Sequence, residues 1–219
     1  MVFIIIAVKT PVYTKYLIKY EEKKMKTKST VQELCTTALL CAIGILIPMV
    51  SPLKLVIPPM SFTFASHVAI FIAMFMNPRV TLFVSLGTTL GFALSGLPLV
   101  VTLRALSHVV FSVFGAYWLQ KNSSVMQSPV KMLIYNLVLG ILHALGEVLV
   151  VTGFFLAGQD LKGTFTYVVW GLVGLGTVVH SMIDFYIAVL LWNPISKYIK
   201  MGFKINYKAS KHIANAVAR

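Results

Sequence analysis

Three pairs of polar side chains interrupt otherwise apolar stretches: Arg104 with His108, His143 with Glu147, and His180 with Asp184. The members of each pair are four residues apart and so share one face of a helix. Within a membrane span such groups are costly, face a cavity or a partner, and mark a functional site. Arginine presents a planar fork that matches a carboxylate bidentately. Imidazole and carboxylate groups beside it read hydroxyl or N–H groups. The expected ligand is therefore a small organic carboxylate carrying other polar groups, a metabolite and not a metal or a lipid.

Each residue also has a purely structural reading. Arg104 can pair with Glu147 as a lock between helices. His108 and His143 can serve as hydrogen bonders between helices, and His180 and Asp184, deeper in their span, are expected to pair with each other or with backbone groups. Trp170 suits an interfacial anchor as well as a stacking surface. A metal-dependent enzyme is a rival, since His and carboxylate groups suit zinc. However, His-x-x-x-Glu is not the His-Glu-x-x-His signature, and Arg104 opposes a cation. No metal, other cofactor or catalytic residue is expected.

The elements that hold these groups follow from composition. The 219-residue chain is 58% hydrophobic and 11% charged, whereas a soluble domain has about a quarter of its residues charged. Residues 34–53, 55–78 and 80–103 carry no Lys, Arg, Asp or Glu, and about 20 apolar residues span a bilayer as a helix. The runs are continuous and not alternating, which argues against a β-barrel. The expected fold is an all-α integral membrane protein with six transmembrane helices near residues 34–49, 61–76, 80–94, 100–118, 132–156 and 165–192. Ser29 or Thr30 is expected to cap the first span. The prolines at 52, 58 and 59 predict an extended outer loop before the second.

The net charge of +13 is distributed as topology requires. With both termini cytoplasmic, sixteen Lys and Arg lie inside: seven before the first span, Arg79, Lys121, Lys131 and six in the tail. Only Lys54 and Lys162 lie outside, which is the positive-inside pattern and leaves no call for nucleic acid; anionic lipid suffices. Cys35 and Cys41 are read as reduced packing residues. Residues 1–24 read as an upstream or cytoplasmic extension, with the natural start expected at Met25. Residues 25–200 form the membrane domain and 201–219 a basic cytoplasmic tail.

On this orientation Arg104 lies about 6 residues past Pro98, roughly 9 Å below the outer surface. Arg104, His108, His143, Glu147, His67 and Trp170 are expected to converge on an outward-opening pocket, with Lys54, Pro58 and Pro59 above it as a lid.

The layout resembles the substrate-binding S component of energy-coupling factor vitamin transporters. The matching features are the six spans, both ends inside, the proline-containing first outer loop, and the Ala38-x-x-x-Ala42 pair in the first span. The segments FTFASHVAIFIAMFMNP and LRALSHVVFSVFGA look most like the pantothenate-specific members, with nicotinate- and folate-specific members as alternatives. The resemblance implies docking through Ala38 and Ala42 on a transmembrane coupling subunit. It also implies two cytoplasmic ATPase subunits that drive release of a water-soluble vitamin by toppling of this subunit in the lipid bilayer. The chain has no Gly-x-x-x-x-Gly-Lys-Ser/Thr motif, so ATP hydrolysis falls to those partners. A proton-coupled secondary carrier is the alternative of another class.

Overall fold

A computed structural model describes residues 11–57, 60–159 and 163–198. Pro58, Pro59, Lys162, the tail over 201–219 and the first ten residues of the expected extension lie outside the described residues. The chain divides between Ala38 and Leu39 into two compact units.

Helix α1 runs from Pro11 to Val50. No Gly or Pro interrupts residues 12–43, so Ser29 and Thr30 lie inside the helix and do not cap it as expected. In the first unit, the Thr36 and Thr37 hydroxyls donate back to the Gln32 and Glu33 carbonyls at 2.8 and 2.7 Å. Such bonds let polar side chains sit on an apolar helix without unpaired donors.

The second unit carries everything that follows. Strands β1 (Lys54–Ile57) and β2 (Met60–Thr63) form an antiparallel hairpin, with Lys54 opposite Thr63 and Ile57 opposite Met60. The described chain is otherwise helical, as expected, and the hairpin shortens the expected second span. Residues expected to open a helix at 61 instead form a strand and a turn, and helix α2 covers only Val68–Met76. Asp184 supplies the reason. Its Oδ1 accepts from Ala65 N–H and its Oδ2 from His67 N–H, both at 2.9 Å. The carboxylate thereby holds a tight turn in which Ala65 takes a φ of 66°. That left-handed conformation is unfavourable for alanine and persists where surrounding bonds over-determine it.

All nine residues of α2 are buried, as befits a helix that is apolar on every side. Around it pack α3 (Pro78–Leu94), α4 (Leu99–Lys121) and α6 (Gly176–Ile195). Phe71 and Phe75 meet Phe185 edge-on, with ring centroids 5.4 and 5.8 Å apart, a favourable aromatic geometry. Asn77 Oδ1 accepts from Val80 N–H at 2.9 Å and Pro78 opens the helix, so α3 begins with a cap and a pre-set φ. The small residues of α3 are used for close packing. A Cβ on Gly87 would come within 2.6 Å of Cys41 Sγ.

Helix α5 covers Pro129–Leu156. Thr166–Leu175 is π-helical and runs directly into α6. Among the described residues, four helical stretches are long and apolar enough to cross a membrane: Thr30–Val50, Leu99–Lys121, Pro129–Leu156 and Thr166–Ile195. Helix α3 is apolar but shorter.

Candidate functional site

The N-terminal ends of α2 and α4 and the facing parts of α5 and α6 enclose a cavity of about 310 Å³, bordered on one side by the hairpin. Arg104 and His108 enter from α4, Glu147 from α5, Thr177 and His180 from α6, and Ser66 and His67 from the turn before α2. Lys54, on β1, also lines it, with Phe62 and Phe92 as apolar walls. Of the residues expected to converge, Arg104, His108, Glu147 and His67 border this cavity, as does Lys54, expected above it.

Glu147 is the hub. Its Oε2 accepts from Arg104 Nη2 and from Thr177 Oγ1, each at 2.7 Å. Its Oε1 lies 3.2 Å from His108 Nε2 and 3.5 Å from His143 Nε2. The carboxylate is almost fully buried, and the Arg104 side chain keeps 15% of its exposure. A buried charge is tolerable when paired and hydrogen-bonded in this way. The Arg104–Glu147 contact expected of a helix lock is therefore present, and it sits on the cavity wall.

His143 lies behind that wall. Its ring stacks on Phe111, centroids 4.4 Å apart and planes 22° from parallel, and touches the rings of His108 at 4.5 Å and His67 at 4.6 Å. His67 also meets His108 at 4.9 Å and His180 at 5.0 Å. Four imidazoles drawn from four elements thus share one small volume.

One expectation is corrected. Trp170 does not join the cavity: it is 56% exposed on the π-helical segment. On an α-helix it would share the face of Thr177, seven residues on, but a π-helix with i→i+5 bonding shifts that phase. The expected pair of His180 with Asp184 forms, and His180 has a further partner. It borders the cavity, with Nε2 3.0 Å from Ser66 Oγ and 3.4 Å from Asp184 Oδ2. Asp184 meanwhile anchors the turn and faces His67 Nδ1 at 3.1 Å.

Thr177 is a site residue that sequence reasoning missed. It was findable, because Thr177, His180 and Asp184 fall at i, i+3 and i+7 on one helical face. A second, shallower groove of about 890 Å³ lies between the hairpin and the junction of the π-helix with α6, lined by Leu53, Leu55, Phe64, Leu172 and Leu175. Lys54 and His180 reach it, but its lining is otherwise apolar, short of the set of converging polar groups that marks a site for a polar small molecule.

No family model matches the chain, and no solved structure matches it. It is 44% identical over 185 residues to the niacin transporter NiaX of Lactococcus lactis subsp. cremoris (strain MG1363), which covers 81% of this chain and 82% of that protein. Identity of this extent places the chain in the family of the niacin transporter NiaX.

Proposed function

We propose that this chain is the membrane-embedded S component of an energy-coupling factor transporter, and that it captures nicotinate from outside the cell. Arg104 on the wall of a small cavity carries this reading. A guanidinium has five N–H donors, so pairing with Glu147 and reading a ligand carboxylate are compatible roles. The relative's niacin specificity favours nicotinate, the alternative in the sequence reading, over pantothenate, which finds no support. Size points the same way. At about 310 Å³ the cavity is at the lower end of small-molecule sites, which suits a single-ring acid better than a long flexible one. Phe62 and Phe92 offer faces for the ring, while His108, His180 and Ser66 offer partners for a pyridine nitrogen.

In the same proposal the chain has six spans with both termini cytoplasmic, and Lys54 belongs to a lid. The Ala38/Ala42 face docks a transmembrane coupling subunit served by two ATPases. Both alanines are exposed, and small side chains let a partner helix approach closely.

Titration calorimetry of the purified subunit with nicotinate, nicotinamide and pantothenate tests the ligand. Nicotinate is expected to bind at least tenfold more tightly than its uncharged amide, a difference of about 1.4 kcal/mol. Equal binding of acid and amide, or preference for pantothenate, overturns it.

A further inference from the structure

We infer that His67, His108, His143 and Glu147 form a binding site for a divalent transition metal of the zinc class at the floor of the cavity. One ligand atom from each of the four lies within 4.8 Å of all the others, and all four residues are buried. Imidazole nitrogens with a carboxylate oxygen form a zinc donor set. Bonds of about 2.0–2.1 Å to a tetrahedral ion place its donors about 3.3 Å apart. His108 Nε2 and His143 Nε2 already stand 3.2 and 3.5 Å from Glu147 Oε1.

The state of His143 points to a ligand. Both of its ring nitrogens are buried and, among the described residues, neither makes a hydrogen bond. Buried polar atoms are ordinarily partnered. An imidazole held rigidly by a stack on Phe111, with no hydrogen bond at either nitrogen, is suited to a metal.

The groups behind the four ligands suit the same role. His67 Nδ1 faces Asp184 Oδ2 at 3.1 Å, and Asp184 is itself fixed by two backbone N–H groups. A carboxylate behind a histidine sets the tautomer and orients the ring for coordination. Glu147 Oε2 is held by Arg104 and Thr177, leaving Oε1 toward the imidazoles. Arg104 was expected to oppose a cation. It instead contacts the far oxygen, so the Glu147 carboxylate stands between the two positive charges, and Asp184 adds a second negative charge behind His67. His67, His108 and Glu147 border the cavity, which supplies an entry path and an open coordination position.

The inference is independent of which vitamin the cavity takes. Its test uses the full chain, purified with an affinity tag that contains no histidine and stripped with a chelator, then titrated with Co²⁺ under a visible spectrometer. One equivalent of Co²⁺ should develop ligand-field absorption, and Zn²⁺ should displace it. His143→Gln and, separately, His108→Gln should each weaken Co²⁺ binding at least tenfold, with folding of each variant checked by its elution profile. Absence of saturable Co²⁺ and Zn²⁺ binding to folded wild type, or unchanged affinity in both variants, overturns the site. Nicotinate titrated into the stripped protein separates the two proposals. Nicotinate binding without Co²⁺ binding sinks the metal site alone, and Co²⁺ binding without nicotinate binding upholds it while sinking the vitamin.

Discussion

Arg104 and Glu147, 43 residues apart on neighbouring helices, are joined by a 2.7 Å hydrogen bond between Nη2 and Oε2 at the cavity wall. If the arginine reads the ligand as well as the glutamate, Arg104→Ala loses a charged hydrogen bond worth about 1.5–3 kcal/mol. Nicotinate affinity should then fall by roughly one to two orders of magnitude. Arg104→Lys should recover part of it, since an ammonium lacks the planar fork. Combining Arg104→Gln with Glu147→Gln should restore thermal stability but not affinity. Calorimetry that found binding restored as well would reduce the pair to a helix lock.

Asp184 holds the turn that presents Ser66 and His67. Asp184→Asn keeps the shape but removes the charge that accepts two backbone N–H groups, at a cost of about 1.5–3 kcal/mol. Thermal melting should show that loss. Ala65→Gly should act in the opposite sense, because glycine adopts a φ of 66° without steric penalty. A melting temperature lowered by Ala65→Gly would count against the strain assigned to this turn.

Trp170 offers a negative test. Because it is exposed and away from the cavity, Trp170→Ala should leave nicotinate affinity within about twofold, well under the tenfold that 1.4 kcal/mol represents. A larger loss in calorimetry would show that the π-helical segment rearranges to bring the indole inward.

The exposed Ala38/Ala42 face should separate binding from uptake. Ala38→Trp or Ala42→Trp adds volume where a partner helix has to approach closely. Uptake into cells should fall to background while the purified subunit binds nicotinate as before. Normal uptake by both variants would place the docking surface elsewhere.

Much of this was legible in residue types and spacing. The long charge-free runs located the apolar helices, and the four-residue spacing of Arg104–His108 and His143–Glu147 put each pair on a shared face. The hairpin was missed because Ser61-Phe62-Thr63-Phe64 alternates polar and apolar residues over only four positions, the shortest stretch in which that period signals a strand. The part played by Asp184 depends on backbone groups of Ala65 and His67, more than a hundred residues away, a contact that local pattern does not encode. Trp170 was misplaced because a π-helical stretch shifts the face on which a residue seven before Thr177 falls, which the sequence pattern does not announce.

The brevity of α2 has an electrical consequence. Nine residues span about 13.5 Å of helix, less than half of a hydrocarbon core about 30 Å thick. In the proposed outward orientation, water reaches through the cavity to His67, so the transmembrane voltage drops mainly across this short dry plug between His67 and Asn77. Moving an elementary charge across 100 mV is worth about 2.3 kcal/mol. A carboxylate resting at Arg104 sits on the outer side of the plug and senses little of that field. Capture is then nearly voltage-independent, and the electrical work of moving an anion inward is concentrated in release.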